Sequence, residues 1–356
     1  MNDDSKTQSM KSMELVHGLV SIVIPSYNCA QSICDVLDGV LSQTYPNIEV
    51  VVVNDASPDN LDNVVGPYLQ RIMYIRNERN LGLSKTYNVG IRRTRGEYVL
   101  TLHSDCVIEP SYVASLLKLV EKDPMIAVAT GQYLFKDYDR MRFSDKLFAI
   151  LNLLPIQDYE CDNGGEVDIS FVEGKADLFR RAILEKYGLF NENLSLTAED
   201  QDLSTRMRKG GYRIVQDSRC RFMVKFSSTQ DSVWKVLNKQ RTYARGQAYV
   251  LLEHGLAAMQ ATTRNRNQRA IHRIGQLLYV CCLAFIIALL FSSKCYFIFI
   301  LLAVVILLRC IYYCFLARRL RFMQRVMASL AGNVGDVLYT IGFVQGIFLR
   351  IFGKRG

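Results

Sequence analysis

The sequence lacks the cysteine spacing of a zinc site. Its ten cysteines are scattered along the chain, and no two of them form a Cys-x-x-Cys pair. Several lie inside apolar runs, where a free thiol behaves as a small hydrophobic side chain. We therefore expect a reduced protein whose soluble part faces the cytoplasm.

Acidic residues are almost missing from the last quarter of the chain. From Ile274 onward there are nine Lys and Arg residues and one acid, Asp336, whereas the first 273 residues carry 34 basic and 33 acidic side chains. The nearly neutral first part lacks the basic surface of a nucleic-acid-binding protein, so no nucleic-acid partner is predicted. The positive charge of the last part suits anionic lipid. Residues 1–17 are polar without the apolar core of a signal peptide, and we expect a flexible lead there.

Apolar runs and helical patterns alternate through the first part of the chain. Strands are predicted at 19–27, 49–57, 73–77 and 98–105, and continuous β-branched runs of this kind are typical of parallel strands covered on both faces. Tyr27, Asp55 and Asp105 lie at the carboxyl ends of three of these strands. Ligands bind at that edge of an open α/β sheet, so one crevice should contain all three residues. Further along the chain, helices are predicted near 177–187 and from 199.

Two long apolar runs follow the predicted α/β region. Residues 274–293 are uncharged, and 295–317 is interrupted only by Arg309, which could extend its charge toward a helix end. We predict two transmembrane helices within 274–317, with a buried soluble hairpin as the alternative. The basic segments on either side, 251–273 and the start of 318–356, place the preceding domain in the cytoplasm. The apolar segment 334–356 is predicted to be interfacial or re-entrant, with a third span as the alternative.

Four stretches of the sequence together resemble glycosyltransferase family 2. They are, in chain order, VSIVIPSYN, VVVNDASPDN, NLGLSKTYNVGIRRTRGEYVLTLHSDC and EDQDLSTRMRKGGYRI. The resemblance covers residues 18–250. It implies an α/β domain of the GT-A fold, with a Rossmann-like mixed sheet, followed by an α-helical membrane region. It also implies an inverting enzyme whose donor is a nucleotide-diphosphate sugar.

The resemblance assigns most candidate site residues to the donor. It implies that Asp55 binds the base with Tyr27 nearby, and an ionised carboxylate suits the imide N–H of uracil, so a UDP-sugar is predicted. On the acceptor side, the candidates are Glu173 and Gly174. The remaining donor candidates are Pro25, Asn28, Asn80, Gly82, Lys85, Ser104, Arg241 and Arg245.

The fourth predicted strand ends in a variant of a metal-binding motif. The family usually has Asp-x-Asp there, and this chain has His103 and Asp105. A hard cation prefers oxygen, so Asp105 is the stronger candidate ligand of a divalent Mn²⁺ or Mg²⁺ ion. His103 could be a nitrogen ligand that favours manganese, or it could contact the ribose or a phosphate.

Glu199 and Asp200 match the family's Glu-Asp pair. The resemblance implies that Asp200 is the general base, which takes the proton of an attacking sugar hydroxyl. One base and one metal ion, which stabilises the departing diphosphate as a Lewis acid, suffice for a single displacement with inversion. Acids in the first turn of a helix can instead serve only the helix dipole.

Several functions remain open at this level. We predict transfer to a hydroxyl of a lipid-linked glycan acceptor at the cytoplasmic membrane face, by an integral membrane protein. A polyprenyl-phosphate monosaccharide synthase is an alternative, as is a processive polysaccharide synthase. Against processivity, the segment with Gln240, Arg241 and Arg245 lacks the tryptophan that the family's processive members carry. A non-catalytic nucleotide-sugar-binding protein is the alternative from another class.

Overall fold

The computed structural model describes residues 14–134, 141–152, 165–172, 174–194, 197–225, 232–255, 266–292 and 296–352. The strands are β1 Val16–Ser26, β2 Ile48–Asn54, β3 Met73–Arg76, β4 Gly96–Leu102, β5 Cys106–Ile108, β6 Ile126–Leu134, β7 Glu166–Asp168, β8 Ala176–Arg180 and β9 Arg213–Val224. The helices are α1 Ile33–Leu41, α2 Leu61–Val65, α3 Leu83–Ile91, α4 Tyr112–Lys122, α5 Phe143–Leu151, α6 Arg181–Lys186, α7 Glu199–Lys209, α8 Val233–His254, α9 Arg266–Ser292, α10 Tyr296–Leu316 and α11 Phe322–Phe352.

A mixed sheet forms the centre of the first 225 residues. Its strand order is β3-β2-β1-β4-β8-β6-β9-β5, with β7 paired to β9. The pairs among β1, β2, β3 and β4 are parallel, whereas β8 runs antiparallel to both β4 and β6. Most apolar side chains of β1 and β2 are buried because helices cover both faces of the sheet. The predicted α/β class with a mixed sheet is confirmed.

One predicted helix is partly wrong. The helix expected near 177–187 is preceded by a strand, because Ala176–Arg180 form β8 and only Arg181–Lys186 are helical. Ala176 to Phe179 are buried between β4 and β6, where a strand satisfies its backbone groups through both neighbours. The earlier strands and the helix from Glu199 agree with the prediction to within a few residues.

The C-terminal helices pack onto the sheet domain through α8. Helix α11 makes its most extensive contact with α8, and it also contacts α9 and α10. A polar cluster joins these helices: Asp336 of α11 accepts hydrogen bonds from Arg309 Nε of α10 at 2.6 Å and from Gln276 Nε2 of α9 at 2.9 Å. The expectation that Arg309 extends its charge toward a helix end is therefore wrong. Its guanidinium is held inside the bundle by a buried carboxylate.

Candidate functional site

The carboxyl ends of three neighbouring strands meet at one edge of the sheet. Tyr27 follows β1, Asp55 follows β2, and His103 to Asp105 follow β4; β1 lies between β2 and β4. These residues therefore lie at the same edge of the sheet, as the order of the strands requires. Tyr27 is half exposed there, whereas Asp55 is buried.

Asp55 organises the loop that precedes α3. Its Oδ1 accepts hydrogen bonds from Asn77 Nδ2 and the Leu81 amide, both at 2.8 Å, and its Oδ2 accepts one from the Gly82 amide at 3.0 Å. Gly82 has φ +82°, a backbone conformation that favours glycine. A carboxylate has about four acceptor sites, so one remains on Oδ2 for a base N–H. The predicted donor role of Asp55 is compatible with this geometry and stays a prediction.

A cationic cleft adjoins this edge of the sheet. Its volume is about 570 Å³, within the usual range of ligand pockets. Four of its lining side chains are basic and none is acidic, so it suits an anionic ligand. The lining residues are Asn28, Lys235, Asn238, Lys239, Arg241, Thr242 and Arg245.

A lysine that the sequence reasoning missed lies between His103 and Asp105. Lys175 Nζ is 2.8 Å from His103 Nδ1 and 3.8 Å from Asp105 Oδ1. Burial and, to a smaller extent, the charge of Lys175 lower the pKa of His103 to about 3, so the ring is neutral. Burial alone would raise the pKa of Asp105, but Lys175 and His103 lower it below its usual value, so this carboxylate is ionised.

These residues do not fit a divalent metal ion in this arrangement. A lysine ammonium only donates hydrogen bonds, so His103 Nδ1 must accept, and its lone pair is directed at Lys175 instead of a metal. Nε2 is then the protonated nitrogen, and it is buried with no hydrogen-bond partner in the described part of the chain. The same described residues contain no group of three His, Cys, Asp or Glu side chains able to hold a metal.

The Glu-Asp pair begins α7 and faces the same region. Asp200 is partly exposed, and its Oδ2 lies against Gly174, where a Cβ would come within 3.2 Å of it. Glu199 is buried, and its Oε2 has no hydrogen-bond partner among the described residues. Burial raises the pKa of Glu199 to about 7, with Lys175 opposing the shift. Asp200 is therefore the more accessible of the two carboxylates, and its role as the general base stays a prediction.

The raised pKa of Glu199 predicts a pH-dependent stability. Between the ordinary value of 4.5 and about 7, the folded chain binds a proton that the unfolded chain releases, so Glu199 makes folding less favourable as pH rises. The difference between these two pKa values corresponds to about 3 kcal/mol of unfolding free energy. We expect the Glu199→Gln variant to gain thermal stability over the parent between about pH 5 and about pH 8. Differential scanning fluorimetry of both proteins measures this; a constant difference in midpoint across that range would contradict it.

The other candidate residues are placed as follows. Pro25 is buried within β1, and Lys85 is exposed on the first turn of α3. Asn80 Oδ1 accepts a hydrogen bond from the Gly82 amide at 3.1 Å, and the Ser104 carbonyl accepts one from Ser32 Oγ at 2.8 Å. Glu173 lies outside the described residues.

Two cations of the site, Lys175 and Lys239, were not predicted. Lys175 could have been found only by recognising β8, since the register that pairs Leu102 with Ala176 places His103 opposite Lys175. Lys239 lies in the segment that contains Arg241 and Arg245, one helical turn before Thr242 on the cleft side of α8.

Comparison with solved structures defines the class of fold. A mannosyltransferase from Pyrobaculum calidifontis, solved in complex with GDP-Man and Mn²⁺, aligns with a TM-score of 0.60 at 17% identity, covering 94% of this chain and 88% of that one. The chain therefore has the GT-A fold. Residues 21–188 of this chain match the model of glycosyl transferase family 2.

Curated relatives agree with this assignment. An uncharacterized glycosyltransferase of Rickettsia prowazekii is 31% identical over 194 residues, which are 52% of this chain and 57% of that protein. The poly-beta-1,6-N-acetyl-D-glucosamine synthase of Staphylococcus epidermidis is 23% identical over 235 residues, 65% of this chain and 55% of that protein. The chain thus spans little more than half the length of these relatives.

Proposed function

We propose that the chain is a membrane-associated inverting glycosyltransferase. It transfers a sugar from a nucleotide-diphosphate sugar, by expectation a UDP-sugar, to a hydroxyl of a lipid-linked glycan acceptor at the cytoplasmic face. The observation that carries this proposal is the cationic cleft beside the carboxyl ends of β1, β2 and β4. Four basic side chains oppose the diphosphate, and Asp55 reaches the same edge of the sheet to meet the base.

Asp200 supports a hydroxyl acceptor. A hydroxyl must lose its proton as it attacks the sugar, and a partly exposed carboxylate beside Gly174 is suited to take it. An acceptor that is already a phosphate would need no such base. The neighbouring Glu199, buried and with a raised pKa, is less accessible to an acceptor.

Membrane association is supported by the apolar outer surface of the C-terminal helices. Within the described residues, α11 is long and apolar enough to cross a membrane, whereas α9 and α10 carry shorter apolar stretches, His272–Ile286 and Ile300–Leu316. The two predicted spans at 274–317 therefore stay predictions. Large exposed apolar residues of this surface include Leu278, Phe285, Ile300, Leu307, Leu308, Ile311, Phe315, Met323, Leu330, Val337, Ile341, Val344 and Phe348.

The packing of α11 favours an interfacial position over a third span. Gly342 and Gly346 of α11 lie against the backbone carbonyls of Arg241 and Arg245 of α8, so the two helices run side by side in the same direction. Helix α8 lines the cationic cleft, so α11 stays beside the catalytic domain. An interfacial helix would turn its apolar face to lipid and hold the cleft near the bilayer surface.

The metal requirement is the part of the sequence prediction that the site supports least. The Mn²⁺ in the mannosyltransferase complex belongs to that protein. In this chain His103 and Asp105 are already in contact with Lys175. The predicted Mn²⁺ or Mg²⁺ ion stays a prediction.

A nucleotide-binding measurement tests the proposal. The purified full chain in lipid nanodiscs should be stabilised by UDP or GDP more than by the matching nucleosides, since a ligand that binds only the folded state raises its stability. We expect the shift in thermal midpoint to be reduced in Arg245→Ala, which removes a cleft cation, and unchanged in Lys118→Ala, which alters an exposed lysine of α4. Equal stabilisation by diphosphates and nucleosides would contradict a diphosphate site in this cleft.

A further inference from the structure

We propose that the ammonium group of Lys175 takes the place of a divalent cation beside Asp105 and, together with Lys239, binds the diphosphate of the donor, so that this chain needs no divalent metal. This inference rests on the proposed function. It starts from the disagreement between the metal-binding motif of the sequence and the three side chains that meet in the structure.

The backbone fixes Lys175 at this position. Strands β4 and β8 are antiparallel, and their pairing continues one residue beyond Leu102 and Ala176, where the His103 amide donates to the Lys175 carbonyl at 2.9 Å. His103 and Lys175 are therefore cross-strand neighbours, whose side chains meet on one face of the sheet. Gly174, with φ +64°, turns the chain into β8 immediately before the lysine.

The contacts of Lys175 compete with a metal ion for His103 and Asp105. An ion bound to Asp105 Oδ1 would lie about 2.0–2.2 Å from that oxygen. The Lys175 Nζ is itself only 3.8 Å from the same oxygen, so two positive centres would share one carboxylate at short range. The nitrogen of His103 that faces this space, Nδ1, is engaged by the same lysine at 2.8 Å. Lys175 thus hydrogen-bonds the His103 nitrogen and forms an ion pair with Asp105, the two side chains that the sequence assigns to a metal.

Lys239 supplies a second cation to the same place. It lines the cleft with Arg241 and Arg245, and it lies close enough to Lys175 and Asp105 for both to influence its charge. Burial and, to a smaller extent, the charge of Lys175 lower the pKa of Lys239 to about 8. Asp105 forms an ion pair with Lys175, so with both lysines protonated the two ammonium groups outnumber this one carboxylate. A bound diphosphate would neutralise this positive charge.

An ammonium group held in place can stabilise the leaving group of the transfer reaction. The acceptor oxygen forms a bond to the anomeric carbon as the bond between that carbon and the diphosphate oxygen breaks. The electron pair of the broken bond remains on the nucleoside diphosphate, and the acceptor proton goes to Asp200. Lys175 and Lys239 stabilise the negative charge that develops on the leaving diphosphate, which is the electrostatic contribution that a Lewis acid makes elsewhere.

Calorimetric titration of the full chain in nanodiscs with UDP and GDP tests the inference. In buffer with EDTA, we expect the parent to bind its preferred nucleotide with an affinity within about twofold of that with Mn²⁺, whereas a cation-dependent site would lose about tenfold or more. Lys175→Met should weaken binding in EDTA by about 10- to 100-fold, as expected for loss of a charge-assisted contact. Lys175→Arg keeps the charge and should retain binding without metal. The matched control Lys118→Met should bind as the parent does.

A double variant provides the reciprocal test. His103→Asp combined with Lys175→Met adds a second carboxylate beside Asp105 and removes the ammonium, so nucleotide binding should become dependent on Mn²⁺. Electron paramagnetic resonance should then detect bound Mn²⁺ in the double variant and not in the parent. Loss of parent binding in EDTA with recovery in Mn²⁺ would overturn the inference and leave the glycosyltransferase proposal standing. Absence of nucleotide binding by the parent under both conditions would overturn both.

Discussion

Turnover of the Asp200→Asn variant is expected to fall by about 100- to 10,000-fold, the usual contribution of a positioned general base. Asparagine keeps the size of the side chain beside Gly174 but cannot accept the proton of an attacking hydroxyl. Donor binding should persist, because Asp55 and the cations of the cleft are unchanged. The loss should therefore fall on kcat more than on the KM of the donor, as for an interaction made in the transition state.

Glu199→Gln is the matched control for this experiment. It alters the adjacent, buried carboxylate and should reduce turnover much less than Asp200→Asn. A larger loss in Glu199→Gln would move the base to Glu199. A near-normal rate in Asp200→Asn would contradict a hydroxyl acceptor and favour transfer to a polyprenyl phosphate, whose acceptor oxygen is already anionic.

The Asp336→Leu variant is expected to lose about 3–5 kcal/mol of stability, the usual effect of leaving a buried charge without its partner. Asp336 is fully buried and joins three helices: it accepts from Arg309 of α10, Gln276 of α9 and, at 2.5 Å, the Tyr313 hydroxyl. Removal of the carboxylate leaves the Arg309 guanidinium inside the bundle without its counter-charge. Thermal unfolding in detergent micelles, followed by fluorescence, measures the loss.

The double variant Arg309→Met with Asp336→Leu separates charge from packing. Replacing both members of a buried ion pair with apolar residues of similar size is often neutral or stabilising. We therefore expect the double variant to recover most of the stability that Asp336→Leu loses. A double variant as unstable as the single one would show that the cluster acts through packing or its other hydrogen bonds, and not through the ion pair.

Local patterns in the sequence were enough to predict the parallel half of the sheet and its functional edge. Strands β1, β2 and β4 are largely apolar, and each is followed within three residues by one of the polar residues at this edge. Because parallel strands end at one edge, the placement of Tyr27, Asp55 and Asp105 at that edge follows from local pattern alone.

The features that could not be predicted depend on pairing between distant segments. Lys175 is next to His103 only because β8 lies antiparallel to β4, and β8 resembled the start of a helix in the sequence. Likewise, Arg309 looked like an isolated charge in an apolar run, since nothing local links it to Asp336, 27 residues later. In both cases, the charge partner comes from another element, and its position requires the register or helix packing of the folded chain.

Transfer of sugar from a panel of radiolabelled sugar nucleotides, in membranes that contain the chain, tests the central claim most directly. With at least one donor, we expect the label to move into a lipid-extractable product with inverted anomeric configuration, in the parent and not in Asp200→Asn. Nucleotide binding without release of nucleoside diphosphate from any donor would contradict the account. The chain would then be a nucleotide-sugar-binding protein that retains the fold without the reaction.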